Sequence, residues 1–488
     1  MRRGMILMVA LLGFGLPVGA GPAFADTGLA TTEDSSPSAR TGVEPPAAPP
    51  VGGGMGASQS PAAGAIQAGS LTRELLRADP GLAALLEDVR ARNPELAAAR
   101  EMANVAAERP AQAGALPDPM LMGTGYVMRP QTRTGPSEAM LSLSQTIPWF
   151  GKRGLKADAA RLAADANARD VTAMEIDIAA RARRLYYELS FLDAEAGIVS
   201  EDKTTLEHYE ELARARYSSG VGLEQAVVKV QAEITRAEAR LLDIRARRAS
   251  VLTELNRLRD RAEDAELAIG PVPRLPELRL DADSLRVWAR SERPEVLAAD
   301  AQIDRTRSLE HLAGKAYYPD VTLGLGYTVV GERDDPAGRA TPPADNGDDV
   351  LAITAGINLP IWRGRLASGV EEARHQTSVA LARKRAVVAQ IDRNVSDLAS
   401  RLPLIWDRVR LFETVLTIQT EQSLESAESA YMANTASALD LLDAERVRLE
   451  ARVATERART DYAIAWSDLT GALGEGPSPA ESSRGEDR

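Results

Sequence analysis

The sequence lacks cysteine, is poor in aromatic residues and has no apolar run long enough to cross a membrane as a helix. Without cysteine, the 488-residue chain can form neither a disulfide framework nor a lipid-anchored N-terminal cysteine. Aromatic residues make up only 4% of it, while Ala, Leu, Arg and Glu recur as they do in long helices. The net charge of -12 argues against nucleic acid as a partner, because phosphate binding needs a basic face.

Catalytic and metal-binding patterns are missing as well. Three histidines lie far apart, with no further metal-ligand pattern beside them: His208, His311 and His375. Met120, Met122 and Met128 share one parity of a predicted strand, which favours lipid contact or barrel packing over copper ligation. Because no nucleophile–base constellation or nucleotide motif is present either, we expect neither an enzyme nor a bound cofactor or metal.

The N-terminus predicts export. Arg2 and Arg3 precede an apolar run that ends near Leu16, and the small residues Ala23 and Ala25 match the spacing of a signal-peptidase site. Residues 1–25 are therefore predicted to be a cleaved signal peptide. Residues 26–70, rich in Pro, Ala, Gly and Ser, predict a disordered leader, and residues 475–488 predict a disordered tail.

Between these ends, the sequence contains an internal repeat, with one copy over residues 71–270 and the other over residues 271–474. NPEL at 93–96 corresponds to RPEV at 293–296, and LPD at 116–118 corresponds to YPD at 318–320. Each copy then contains a predicted β-hairpin, which spans residues 119–149 in the first copy and 320–360 in the second. Repetition of this length indicates duplication of one structural unit, as in symmetric or tubular assemblies.

The hairpin strands alternate apolar with small or polar residues. In residues 321–329, Leu323 and Leu325 share one parity, whereas Thr322 and Gly324 share the other. This alternation is typical of outer-membrane barrel strands, although a half-buried strand of a soluble sandwich carries it too. Four strands cannot close a barrel, so transmembrane strands would have to be shared between chains.

Long helices follow the hairpins. Apolar residues recur at alternating three- and four-residue spacing in residues 224–265 and 391–416, which is the requirement for coiled-coil packing. The unbroken segments of about 154–217 and 364–431 are each long enough to match two shorter helices placed end to end. We expect segments 224–265 and 294–315 beside the first, and segments 438–473 and 94–113 beside the second. Pro403 lacks a backbone donor and is expected to bend the second of these helices.

Three further stretches carry a resemblance to a known family. They are QTIPWFGK at 145–152, RYSSGVGL at 216–223, and YMANT at 431–435 followed by LDLLDA at 439–444. Together with the duplication, they resemble the TolC family of outer-membrane efflux ducts over residues 75–473. The resemblance implies a mainly α fold with a small transmembrane β part. In that fold, three chains contribute four strands each to one twelve-stranded barrel, and their helices form an α-barrel through the periplasm.

The resemblance also implies where the pore narrows. Asp440 and Asp443 would project into the tunnel and form two carboxylate rings, a cation-selective constriction, although both could be ordinary exposed helix residues. Tyr431 matches a tyrosine that holds the mouth closed in the family. Ala436 stands where an arginine of that closed state is expected, so the mouth of this protein would be held differently.

The remaining site residues concern docking and the membrane boundary. The resemblance implies that a periplasmic adaptor docks on the two helical tips, at Tyr217, Gly220, Val221, Gly222, Leu223, Asn434 and Thr435. Trp149, Phe150 and Trp362 end strands beside Pro or Gly, where they would anchor the barrel rim in lipid or pack at the junction of barrel and helices.

These observations favour a passive exit duct in the bacterial outer membrane, extending into the periplasm as a homotrimer. It would receive substrate from an inner-membrane pump through the adaptor. The channel of a type I protein-secretion system shares this architecture and stays open as an alternative, as does a periplasmic coiled-coil adaptor or scaffold. Residues 148–152 resemble the heavy-metal branch of the family, so drug and metal cargo both remain candidates.

Overall fold

The computed structural model describes residues 69–474, which contain twelve α-helices and five β-strands. The helices are α1 Gly69–Ala78, α2 Pro80–Arg92, α3 Pro94–Ala107, α4 Arg109–Gly114, α5 Lys152–Ser218, α6 Glu224–Leu258, α7 Ala282–Glu292, α8 Pro294–Lys315, α9 Pro336–Ala340, α10 Arg363–Leu411, α11 Thr417–Met432 and α12 Ala438–Ala472. The strands are β1 Met120–Gly125, β2 Gln131–Thr132, β3 Gly135–Ile147, β4 Val321–Val330 and β5 Val350–Ile357. The predicted signal peptide, the predicted tail and the leader up to residue 68 lie outside the described residues.

The repeated Pro-Glu motif begins a helix in each copy. Pro94 and Pro294 occupy the first turns of α3 and α8, where the missing backbone donor costs nothing. Asn93 adds a cap, because its side-chain oxygen accepts a hydrogen bond of 2.9 Å from the Leu96 backbone N–H. The duplication found in the sequence therefore corresponds to two helices that both begin at a proline, although only α3 has a side-chain cap.

The strands form one antiparallel sheet in the order β1-β3-β4-β5, and β2 pairs with one end of β3. The central pairing joins β3 of the first copy to β4 of the second. Within the described chain, β1 and β5 each have a neighbouring strand on one side only, so both outer edges of the sheet are unpaired.

Side chains of like character align across the sheet. Leu143 on β3 lies opposite Leu325 on β4, which lies opposite Ile353 on β5, and all three side chains are exposed. The neighbouring row of the other face holds Ser142 and Gly326. The predicted alternation of an apolar face and a small or polar face is therefore confirmed for β3, β4 and β5.

The first strand departs from the sequence interpretation. Met120 pairs with Ser144 and Met122 pairs with Ser142, so both methionines lie on the small, polar face rather than on the apolar face. Leu121, opposite Leu143, lies on the apolar face together with Gly123 and Gly125. Parity could not decide this point, because three consecutive residues of β1 are apolar and either alternation fits them.

The long helices pack against shorter ones, but not in the arrangement that the repeat predicts. Helix α5 packs against α6 and α8, as expected for the first copy. The pair α3 and α4 was expected beside the second long helix, yet it packs against α5 in the same chain. Helix α10 contacts α12, as expected for the second copy, and it also contacts α7 and α8.

Two helix irregularities have local causes. Helix α6 ends at Leu258 rather than near residue 265, because Asp260 adopts a left-handed backbone with φ of 51°. The Asn256 side-chain amide then donates to the carbonyls of Glu263 and Ala265 and fixes the segment that follows.

The second long helix continues through Pro403 and changes its hydrogen-bonding pattern only later. A π-turn, Phe412–Leu416, joins α10 to α11. In this turn, the backbone N–H and the hydroxyl of Thr417 both donate to the Phe412 carbonyl. A bend at Pro403 remains a prediction.

The largest apolar core surrounds the middle of the long helices. Trp466 of α12 and Tyr186 of α5 are fully buried in it, together with leucines of α1 and α2. Tyr186 donates a hydrogen bond of 2.9 Å to Asp79, which also caps α2. None of the helices within residues 69–474 combines the length and the apolar character that a membrane-crossing helix requires.

Candidate docking tips and constriction

The first tip is the turn between α5 and α6. Gly220 adopts a positive φ of 77°, which a residue without a side chain tolerates at a helix end. The backbone N–H groups of Val221 and Gly222 both donate to the Arg216 carbonyl, at 3.0 and 2.9 Å. The turn therefore satisfies the last carbonyls of α5 while it presents Val221 and Leu223 to solvent.

The second tip, between α11 and α12, repeats this turn with different residues. Asn434 takes the left-handed position with φ of 58°, a conformation in which asparagine is common. The N–H groups of Thr435 and Ala436 both donate to the Ala430 carbonyl, at 2.9 and 3.2 Å. Gly220 and Asn434 are thus structural equivalents, which makes Ala226 the equivalent of Asp440.

All seven residues predicted to dock an adaptor lie in or beside these two turns. Tyr217 is exposed at the end of α5, and exposed apolar side chains extend the surface of the second tip at Met432 and Leu439. The two turns together expose an apolar surface at one end of the helices. A partner protein could bury this surface.

One arginine joins the two tips. The Arg216 guanidinium lies 4.0 Å from the centre of the Tyr431 ring and donates a hydrogen bond of 2.6 Å to the Tyr431 carbonyl. Tyr431 is only 6% exposed beneath it. Sequence reasoning selected Tyr431 but missed Arg216, because 215 residues separate the two and no local pattern connects them.

Asp440 has a structural role that the sequence interpretation did not include. It forms a capping box with Ser437: the Asp440 carboxylate accepts from the Ser437 backbone N–H at 2.9 Å, and the Ser437 hydroxyl accepts from the Asp440 N–H. The hydrogen bonds from the Ser437 backbone and hydroxyl lower the pKa of Asp440 below its ordinary value. The Ser-x-x-Asp spacing could have revealed this cap in advance.

Asp443 lies one turn further along α12 and is exposed. Arg446 lies on the same helix face, and its guanidinium is 2.9 Å from the Asp443 carboxylate. The two residues predicted to form the constriction are therefore accompanied in one chain by one arginine. Pairing with Arg446 weakens the negative field of Asp443 at this surface, because an adjacent opposite charge offsets it.

The three aromatic residues near the ends of the strands divide into two environments. Trp149 is half-buried and stacks on Tyr318, with ring centres 5.5 Å apart. Its backbone N–H also donates to Asp320, which binds Lys152 and so links the two copies. Phe150 and Trp362 are mostly exposed, at 84% and 70%.

Within residues 69–474, no group of three or more His, Cys, Asp or Glu side chains is arranged to hold a metal ion. The helical tips and their charged residues form the candidate site.

Comparison with known proteins places this geometry in a family. The sequence matches the family of outer membrane efflux proteins over residues 85–260 and 285–475. No protein of curated function matches it.

Solved structures share the fold. The outer-membrane channel OprN is 17% identical, with 84% of this chain and 93% of that chain covered and a TM-score of 0.71. VceC, an outer membrane protein of Vibrio cholerae, is 23% identical, with 81% of this chain and 96% of that chain covered and a TM-score of 0.67. The CmeC outer membrane channel of Campylobacter jejuni is 17% identical, with 83% of this chain and 88% of that chain covered and a TM-score of 0.69.

Proposed function

We propose that this chain, which belongs to the outer membrane efflux protein family, forms as a trimer the passive exit duct of a tripartite efflux system. Membership of the family makes it an outer-membrane efflux channel rather than an enzyme. The finer parts of the proposal are the trimer, the extension into the periplasm, and delivery of substrate by an inner-membrane pump through an adaptor.

The observation that supports a trimer is the open β-sheet, whose two outer strands each lack a neighbour within the described chain. Four strands expose an apolar face, and both outer edges, β1 and β5, are unpaired within the described chain. In a bilayer, unsatisfied backbone groups cost several kcal/mol each, so an open edge cannot face lipid. Pairing β5 of one chain with β1 of the next, three times, would satisfy every edge and close twelve strands into a barrel.

The helices support the same assembly. Because α3 and α4 pack on one side of α5 and α8 packs on another, the pair stands at one end of a row of helices whose other end is α10. A neighbouring chain could bring its own α3 and α4 to α10. The arrangement that the repeat predicts within one chain would then occur between chains.

The tips support docking and gating. In this proposal the adaptor covers the exposed Tyr217, Val221 and Leu223 of the first tip and the equivalent surface of the second. Asp440 and Asp443 would be repeated three times around the axis, where rings of carboxylates attract cations. Arg446 would weaken this attraction for cations by pairing with Asp443.

The exposed aromatics support a membrane boundary near the strand ends. Phe150 and Trp362 are the rim residues in this proposal, because interfacial aromatics place a flat apolar ring at the level of the lipid headgroups. Trp149 instead braces the junction between strand and helix through Tyr318.

Fractionation combined with deletion tests the proposal. We expect the protein in detergent-extracted outer membranes as a trimer, because only the closed assembly satisfies its strand edges. Deletion should raise sensitivity to at least one class in a panel of drugs, dyes and metal ions, and restoring the gene should reverse this. Recovery as a monomer from the soluble periplasm would contradict the proposal.

A further inference from the structure

Two buried acidic side chains face each other where α5 packs against α12. Asp202 on α5 is 3% exposed, and Glu445 on α12 is 1% exposed. Both side chains line one cavity between α5, α6 and α12, and after burial a side-chain hydrogen bond to Glu445 is among the causes that raise the pKa of Asp202. An ionised carboxylate only accepts hydrogen bonds, so a bond between these two groups requires a proton on one of them.

The two members of this carboxyl pair are not equally supported. Arg448, one turn further along α12, donates to both oxygens of Glu445. Asp202 receives no such support: its Oδ1 has no hydrogen-bond partner among the described residues. Asp202 also lines a cavity of about 190 Å³ between α5, α6 and α12. Because an ionised carboxylate is costly to bury without partners, Asp202 is the member that favours the protonated form.

The other arginines around the cavity are paired with other acids. The ion pairs are Arg240 with Glu195, Arg236 with Glu233, and Arg446 with Asp443. Glu450 adds a further negative charge at the cavity. These three arginines therefore pair with other carboxylates, and none of them forms an ion pair with Asp202.

The α11 side of α5 does not change this balance. Tyr209, two turns beyond Asp202, donates its hydroxyl to Glu428 of α11 and is not a donor to Asp202. Burial, followed by the hydrogen bond with Glu445 and the Glu445 charge, raises the pKa of Asp202 to about 7, against the opposing effect of Arg448 and Arg240.

We propose that Asp202 and Glu445 share one proton, and that this proton stabilises the contact between α5 and α12 in the part of these helices that leads to the tips. When the proton is lost, two buried carboxylates repel each other across the helix contact, and the contact loosens. Helix α12 also carries Asp440 and Asp443. Any consequence for the pore rests on the proposed function, whereas the proton and the helix contact can be tested on the purified protein whatever it conducts.

The direction of the pH effect follows from linkage. The pKa of Asp202 in the folded chain lies above the ordinary carboxyl value, so folding takes up a proton between the two values. The stabilising effect is complete below about pH 4 and is lost as the pH rises through about 7. Carboxylates whose pKa is lowered, such as Asp440, act only at more acidic pH.

Hydrogen–deuterium exchange of the purified full-length protein tests the proposal. Between about pH 6 and about pH 8.5, and after correction for intrinsic exchange, residues 199–209 and 438–450 should lose protection by about tenfold or more. In Asp202→Asn the loss should be below about twofold, because asparagine stays neutral and can still donate to Glu445. An equal loss in wild type and variant, or no loss in wild type, would overturn the proposal.

Two further measurements keep the test decisive. Histidine side chains also change charge near neutral pH, so His208→Gln, at an exposed position of the same helix, is the control and should keep the wild-type response. Infrared difference spectra of the unmodified protein should contain a protonated carboxyl band that titrates near neutral pH. In Glu445→Gln this band should titrate at lower pH, because the hydrogen bond and the charge of Glu445 no longer raise the pKa of Asp202. Absence of that band from the wild-type spectrum would refute the shared proton even if Asp202→Asn failed to fold.

Discussion

Replacing Ile353 by arginine is expected to remove most of the protein from the outer membrane. Ile353 lies in the middle of β5, is 84% exposed and continues the apolar row of Leu143 and Leu325. On the lipid face of a transmembrane barrel, an arginine near the bilayer midplane costs about 2–4 kcal/mol, and a trimer would carry three of them. The amount of folded trimer in outer-membrane fractions should fall by at least about tenfold.

The adjacent residue provides a matched control. Ala352 pairs with Gly326 on the small, polar face, so Ala352→Arg places the same side chain one residue away on the opposite side of the sheet. This variant should insert close to the wild-type level and alter conductance instead. Equal insertion of the two variants would show that neither face meets lipid and would favour the reading as a soluble strand.

Replacing Arg216 by glutamine is expected to open the mouth of the channel. The guanidinium contacts the buried Tyr431 ring and donates to the carbonyls of Tyr431 and Met432, so the substitution removes the cation–π contact and weakens the hydrogen bonds between the two tips. A cation–π contact is worth about 0.5–2 kcal/mol, which corresponds to about a two- to thirtyfold change in the ratio of open to closed states. Single-channel conductance in planar bilayers should rise several-fold.

Two comparisons isolate the contact between the tips. Arg214, on the same helix, pairs with Glu210 on the surface, so Arg214→Gln removes an equal charge without touching the second tip. Its conductance should stay near the wild-type value. Tyr431→Leu should open the channel by itself but add little in the Arg216→Gln background, since both changes break the same contact. Independent, additive effects would mean that the mouth is held elsewhere.

Local patterns predicted much of the fold. The alternation along the sequence correctly placed the apolar residues of β3, β4 and β5 on one face of the sheet. The repeated motifs correctly marked where α3 and α8 begin. The tips could also be aligned in advance, because Gly220 and Asn434 are residue types that tolerate a left-handed turn.

What local patterns could not predict depends on contacts between distant segments. The parity of β1 is ambiguous until its pairing with β3 is known, and the placement of α3 and α4 against α5 is a matter of packing. Arg216 meets Tyr431, and Asp202 meets Glu445, across more than 200 residues of sequence. These tertiary contacts supply the candidate links that regulate the mouth, whereas the secondary structure only positions them.

The most direct test of the account is a disulfide between the open edges of neighbouring sheets, which a chain without cysteine permits on a clean background. Cysteine would replace Thr124 on β1 and, one at a time, residues 351–355 on β5. The pair Gly123→Cys with Leu141→Cys, opposite each other on β1 and β3, serves as the intrachain control. The account predicts that at least one β1–β5 combination yields a covalently closed trimer under oxidation. If the control pair oxidises while every β1–β5 combination remains a monomer, three chains do not share one barrel.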